Sequence, residues 1–309
     1  AATALYGSDG QNGVILITTK KGVARKGLGV NVSHTESFDK AYKLYDLQNE
    51  YGSGISPTFQ NVGGVDIIDP NWGQYFSFGP KLNGQQVKDI DGHMMTYKAN
   101  DPLAFFQTGK YINTNVSVEG GNERSTFRFS YSNLANNSVM PNNKLGRNNF
   151  SIRATQKLGS IINMDVSATY TASKSDNPLP NGGNSNPLFA FVYNGTRSTD
   201  LDYWYNNYID TALGGRKSGA AKNPYGLAST MWQLKEWKTV QKEENFRANL
   251  DLTATITPWL SALARFNINR LSENFESRKR GESAGFLGGS AEYKLRQSNN
   301  NDLRFQGLL

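Results

Sequence analysis

Phe246-Arg247-Ala248-Asn249-Leu250-Asp251-Leu252-Thr253-Ala254-Thr255-Ile256 is the stretch that decides the fold. Every even position is apolar and every odd position is polar. A period of two sends the two sets to opposite faces of a strand. Ile162 to Tyr170 keeps the same rule, with Met164, Val166 and Ala168 set against Asn163, Asp165, Ser167 and Thr169. Leu260 to Asn269 nearly repeats it, Leu263 being the one apolar residue on the polar face. Shorter alternations lie at Val116 to Glu119, Thr126 to Tyr131 and Phe150 to Ala154. Two more strands are expected, one from Leu28 to about Glu36 and one beginning near Leu303.

The polar face carries Arg128, Arg153, Asp165, Arg247, Asp251 and Arg265. Ionised groups in a dry core are very costly, so this face meets water. The apolar face then packs on a second sheet, as in a soluble sandwich, or meets lipid around a wet lumen. Alternation alone leaves both open. The connections separate them. Links are tight at 120–123, 158–160 and 257–259, and longer at about 37–110, 136–148, 173–243 and 280–300. Short turns at one end and long loops at the other are the habit of outer-membrane barrels, whereas structureless loops this long are rare in compact domains. Short helices are allowed at 44–51, 101–108 and 232–241.

Composition agrees. The chain has 309 residues, of which 37% are hydrophobic and 12% aromatic, and its mean hydropathy is −0.57. Low hydrophobicity with many aromatics fits strands that keep every second residue wet, and does not fit plain disorder. No apolar run approaches the ~20 residues of a membrane helix. The formal charge of +7 is scattered rather than gathered on one face, which argues against nucleic-acid binding. With no Cys there is no disulfide scaffold, thiolate metal site or cysteine nucleophile. The first residue is Ala1 rather than Met, and no signal peptide is visible, so the expectation is an internal fragment.

The opening residues, Ala1-Ala2-Thr3-Ala4-Leu5-Tyr6-Gly7 through Asn12-Gly13-Val14-Ile15-Leu16-Ile17-Thr18-Thr19-Lys20-Lys21-Gly22, closely resemble the end of the plug domain in the SusC/RagA family of TonB-linked outer-membrane proteins. Asp9-Gly10-Gln11 departs from the family's usual Arg-Ala-Ala. Further matches follow in family order. They are Ser77-Phe78-Gly79-Pro80-Lys81-Leu82-Asn83-Gly84, Phe105-Phe106-Gln107-Thr108-Gly109, Asn113 to Gly121, Phe127 to Ser132 and Met140-Pro141-Asn142. Together they cover about residues 1–170; beyond that the reading rests on alternation and loop rhythm.

The resemblance implies an all-β fold, part of a transmembrane antiparallel barrel of about 22 strands, of which this chain holds about eight. Residues 1–22 would be the last strand of the plug domain, and 23–309 the N-terminal part of the barrel, with extracellular loops at about 37–110, 173–243 and 280–300. Most of the plug, any TonB-contacting segment and the remaining barrel would lie outside the chain. It further implies TonB-energised import of a large nutrient, an oligosaccharide or a peptide, across the bacterial outer membrane, with a SusD-like lipoprotein over the external face. The alternative is a soluble or surface carbohydrate-binding β-sandwich.

Tyr6-Gly7 and Asn12-Gly13 have turn chemistry and mark the plug motif. The Gly-rich run there lacks the GK[ST] of a phosphate loop. The 173–243 segment concentrates aromatics, among them Tyr203, Trp204, Tyr205, Trp232 and Trp237. Such rings stack on sugars, anchor a partner or pack the loop's own core. His34 and His93 are isolated in sequence, with no ligand at metal spacing. Asp66, Asp69, Asp89 and Asp91 offer oxygens for Ca²⁺, though their spacing matches no known loop. No Ser-His-Asp order or nucleophile elbow stands out, so no catalytic residue, cofactor or resident metal is expected.

Overall fold

Wherever the sequence alternates, the chain is extended and paired. The computed structural model describes residues 11, 19–42, 46–71, 76–179, 186–191, 195–218, 226–282 and 291–309. In chain order the strands are β1 (Arg25–Asp39), β2 (Gln60–Val62), β3 (Val65–Ile67), β4 (Gln86–Lys88), β5 (Met94–Thr96), β6 (Gly109–Gly121), β7 (Ser125–Asn137), β8 (Lys144–Leu158), β9 (Ile162–Asp176), β10 (Ile209–Asp210), β11 (Gly215–Arg216), β12 (Trp237–Thr257), β13 (Leu260–Lys279) and β14 (Glu292–Leu308). The long ones form one eight-stranded antiparallel sheet in the order β1-β6-β7-β8-β9-β12-β13-β14. Consecutive long strands are always neighbours, as in an up-and-down barrel wall.

Register makes the two faces continuous. Val30, Val118, Phe129, Ile152, Ala168, Ala248, Ile268 and Leu303 stand opposite one another across all eight strands. One residue along, the row reads Asn31, Ser117, Ser130, Ser151, Thr169, Arg247, Asn269 and Asp302. Among the described residues nothing covers the apolar row: Val30 is 65% exposed, Phe129 54% and Leu303 72%. The buried apolar core lies elsewhere. Among the described residues none of its members belongs to the eight long strands; they come from 68–105, Met140 and 190–232. A sandwich would bury the sheet's apolar face, so this arrangement is that of a barrel wall. No helix among the described residues is long and apolar enough to cross a membrane.

At one end the turns are tight. Asn122 accepts from the N–H groups of Arg124 (2.8 Å) and Ser125 (2.9 Å) and closes the β6–β7 hairpin. Gly121, at φ 140°, makes the approach possible, because a Cβ there would lie 2.2 Å from the Ser125 carbonyl oxygen. At the other end lie the connections 40–108, 177–236 and 280–291.

Several expectations are corrected. The link placed at 136–148 shrinks to 138–143, because β7 and β8 pair out to Asn137 and Lys144. The last strand begins at Glu292, not near Leu303, and pairs with β13 in unbroken register. Its middle, Gln297 to Asp302, is polar on both faces, which interrupts the alternation begun by Tyr293 and Leu295. Residues 46–51 form no helix. There the Gln48 side chain accepts from the N–H groups of Glu50 (2.8 Å) and Tyr51 (2.9 Å) and folds the segment into a turn. The 101–108 helix is one 3-10 turn, Pro102–Phe105, capped by Asp101. The helix allowed at 232–241 runs instead over Leu227–Glu236, and β12 starts at Trp237.

Candidate functional site

The polar face is a built surface. Glu119, Arg128, Arg153, Ser167, Asn249, Asn267 and Arg304 stand in one register row across β6 to β14. Two residues further along the strands the row is Asp165, Asp251, Arg265 and Gln306. Asp165 and Asp251 are direct cross-strand neighbours, a repulsive arrangement unless cations intervene. Arg153 donates through Nε (2.9 Å) and Nη2 (2.7 Å) to Asp165, and Arg265 binds Asp251 in the same two-pronged way at 2.8 and 2.7 Å. Arg128 bonds the Glu119 carboxylate and the Ser117 hydroxyl, the latter at 2.8 Å. Bidentate pairs fix side-chain direction as well as charge. Arg153, Asp165, Asp251, Arg265 and Arg304 line an open space of about 760 Å³ together with Thr19.

Thr19 comes from the segment that resembles the plug's end. Arg153 donates to its carbonyl oxygen and, at 3.1 Å, to its hydroxyl. Three residues on, Gly22 lies flat against β7: a Cβ there would come within 2.3 Å of the Phe127 carbonyl oxygen. The chain thus runs down the polar wall before turning into β1. Tyr6, Gly7, Asn12 and Gly13 lie outside the described residues.

At the long-loop end the connections 40–108 and 177–236 share one core. Trp204 and Trp232 are wholly buried in it, among Tyr97, Phe105, Phe191, Leu227 and Met231. Of the five aromatic residues singled out from sequence, these two are therefore spent on packing and present no face to a ligand. Tyr203, Tyr205 and Trp237 pack against the same core while half exposed. Tyr205 carries Lys235 over its ring at 3.7 Å, and Trp237 carries Lys279 at 4.8 Å.

Tyr203 belongs to a charged cluster. Its ring stacks on His93 at 3.6 Å, and its hydroxyl donates to Asp91 at 2.8 Å. Lys217 reaches the same carboxylate oxygen at 3.2 Å, and His93 meets the other oxygen. Asp91 is 3% exposed. Burial works to raise its pKa, but the bonds from His93 and Tyr203 win and hold it well below the usual carboxylate range. Burial pushes the neighbouring Asp89 up to about 6. The Tyr203 hydroxyl is raised by burial and by Asp91.

Asp89, Asp91 and His93 have donor atoms within 4.8 Å of one another, so His93 is not isolated in space. Asp66 and Asp69 are not part of the group; Asp66 takes the Asn61 amide (2.8 Å) and Asp69 the Asn71 N–H (2.9 Å). The Ca²⁺ reading that joined the four aspartates thus fails among the described residues. The Lys217 ammonium already stands where a cation on Asp91 would.

A cavity of about 230 Å³ opens beside this core, lined by Gln48, Asn100, Phe191, Thr196, Arg197 and Leu201 among others. Arg197 braces it, donating to the Gln48 carbonyl (2.9 Å), the Asn49 side chain (2.9 and 2.6 Å) and the Asn100 carbonyl. Ser53 bonds Thr196 and Ser198 underneath, the latter at 2.6 Å, and Tyr97 donates to the Ser53 carbonyl at 2.8 Å. Sequence reasoning missed Arg197 and Lys217, whose partners lie up to 149 positions away, and took His93 as isolated.

No protein-family model matches the chain. It is 23% identical over 258 residues to TonB-dependent receptor P3 of Formosa agariphila, covering 81% of this chain and 21% of that protein. Over 47 residues it is 49% identical to the TonB-dependent receptor SusC of Bacteroides thetaiotaomicron, covering 15% of this chain and 5% of that one. In structure it is similar to the RagAB peptide importer. The closed-closed state matches with a TM-score of 0.67 at 14% identity, over 98% of this chain and 34% of that one. The open-open state matches with a TM-score of 0.63, also at 14% identity, over 94% and 32%. The chain thus spans about a third of the importer chains and about a fifth of the first curated relative.

Proposed function

This chain is of the SusC/RagA type of TonB-dependent receptor, and from that premise we propose that it forms part of an active importer of a large nutrient across the bacterial outer membrane. The cargo class is an oligosaccharide or a peptide, and a SusD-like lipoprotein works over the loop end. The observation that carries the reading is the sheet's two-sidedness. Eight strands keep an uncovered apolar face and a charged, hydrogen-bonded face in register, and the segment at Thr19 runs along the charged face.

In this reading the tight turns are periplasmic and the 40–108 and 177–236 connections are external. Energised rearrangement of the plug would break the Arg153–Thr19 contacts, whose groups can be rehydrated in the lumen at small net cost. The 230 Å³ cavity beside Arg197 would hold one sugar ring or one side chain of the cargo. Tyr203, Tyr205 and Trp237 remain candidates for cargo or lipoprotein contact, through edges that stay half exposed. The relatives are named receptors and an importer, and we assign no catalytic role. A soluble carbohydrate-binding sandwich would have nothing to cover Val30, Phe129 and Phe150.

The test is uptake. Cells producing the full-length receptor should take up a labelled oligosaccharide or peptide pool in a way that a protonophore stops. The receptor, extracted from outer membranes in mild detergent, should bring a lipoprotein with it. Uptake that survives deletion of the receptor gene, or a receptor found in the soluble fraction, would overturn the reading.

A further inference from the structure

Above the apolar belt, toward the loops, the outward face of the sheet becomes basic in a way that local stability opposes. Lys174 on β9 and Lys242 on β12 are direct cross-strand partners, and so are Lys238 on β12 and Arg278 on β13. The register is unbroken from Phe246, so all four side chains share the lipid-facing side with Phe246 and Tyr170. Like charges directly opposite one another destabilise a sheet. Lys144, opposite Asp176, adds a fifth cation to this face.

Three carboxylates stand among them. Asp176 is taken by Lys174 at 2.9 Å, Glu276 is taken by Arg278, and Glu244 lies opposite Ala172. Among the described residues, Lys144, Lys238 and Lys242 have no carboxylate within ion-pair distance. The patch therefore calls for an anion from outside the chain.

Directly below it lies a groove of about 600 Å³, walled by Phe129, Tyr131, Phe150, Ile152, Tyr170 and Phe246. The small residue Ala168 opens its floor. Tyr170 and Phe246 each sit four residues below the Lys174–Lys242 pair, about 13 Å along the strand. Between groove and lysines the same face presents Asn133 and Asn148, joined at 2.9 Å, amides suited to sugar hydroxyls. Acyl chain, sugar and phosphate are thus matched in order of height.

We propose that this face of β7 to β13 is a docking site for a phosphate-bearing glycolipid of the outer leaflet. Its phosphates would be held by Lys174, Lys242, Lys238 and Lys144, and one acyl chain would lie in the groove. The proposal rests on the orientation given above, with the long loops outside.

The test uses delipidated full-length receptor in detergent, titrated by native mass spectrometry with bisphosphorylated lipid A and with the same lipid stripped of phosphate. The bisphosphorylated form should bind more tightly. K174Q/K242Q should weaken it by about fivefold for each lysine removed, while leaving the stripped form unchanged. K174R/K242R should retain it, and heat-modifiable migration of each variant on gels reports that the barrel is intact. Equal binding of both lipids, or equal binding by wild type and K174Q/K242Q, would overturn the proposal. Orientation is read separately with Asp202→Cys, an exposed position in the 177–236 connection, with the unsubstituted receptor as the blank. Labelling of intact cells by an impermeant maleimide upholds the orientation, so that a failed titration counts against the lipid site alone. Absence of labelling removes the orientation and the site together.

Discussion

Asn177 reaches across to Asn142: its Nδ2 donates to the Asn142 carbonyl at 3.0 Å, and Asn143 returns a bond to the Asn177 carbonyl at 2.8 Å. Asn142 and Asn177 hold left-handed backbones, φ 65° and 49°. Asn177 also accepts from Thr239 N–H at 2.9 Å, so one side chain ties the β7–β8 turn to the ends of β9 and β12. Asn177→Ala should cost about 2 kcal/mol through strain and lost bonds. Asn177→Gly should cost less, since glycine keeps the backbone and loses only the bonds. Thermal unfolding in detergent checks the order, and equal losses would show that the conformation contributes nothing.

Arg153 should govern how firmly the segment at Thr19 is held. Lysine cannot reproduce the two-pronged bond to Asp165 and the bonds to Thr19 together. Arg153→Lys is expected to speed hydrogen exchange at Thr19 to Gly22 by about tenfold, matching loss of roughly one hydrogen bond. Unchanged exchange would mean that the wall does not grip this segment.

The charged cluster gives a pH dependence. Asp89 has a raised pKa, about 6 against an ordinary 3.8, so the folded cap binds its proton more tightly than the unfolded chain. Its contribution therefore improves as pH falls from above 6 toward 4. Asp91 is lowered, so its contribution is full above the ordinary value and is lost as pH falls below about 4. The loop cap should be most stable between about pH 4 and 5 and weaken on either side. Hydrogen exchange at 86–97 against pH measures this; a steady loss of protection from pH 7 to 5 would contradict it.

Breaking that cluster should also be felt at neutral pH. Asp91→Asn leaves Lys217, 17% exposed, without its counter-charge. A loss of about 3 kcal/mol of local stability is expected. Limited proteolysis within 195–218 reports it, and a cap as resistant as wild type would be the contrary result.

Phe129 and Ser130 are sequence neighbours on opposite faces. Phe129→Arg places a charge in lipid, at about 2–4 kcal/mol near the midplane. Ser130→Arg adds one to a wet lumen and should cost far less. Denaturant titration after refolding into vesicles separates them; equal costs would place both faces in the same medium.

The wall was legible because its residues obey a rule that repeats every two positions. Phe246 to Ile256 needs no partner to declare its faces. The start of the last strand was not legible because Gln297-Ser298-Asn299-Asn300-Asn301, polar on both faces, separates the short alternation at Tyr293 to Arg296 from the apolar belt. The aromatic run at Tyr203-Trp204-Tyr205 was visible as important, but it lies on a short helix, Leu201–Asn206, that buries Trp204 and leaves its neighbours at the edge, which composition cannot say. Asp91 and Lys217 lie 126 positions apart, and only the folded cap brings them together.

The core shared by the two large connections has a mechanical consequence. Peeling one away from the other would pull Phe105 off Phe191 and Tyr205 and bring it into water, at about 2–3 kcal/mol. Tilting them together costs none of that. The cap is therefore a single plate, and a push at Tyr203 on one connection is borne at His93 on the other, four strands away in the wall.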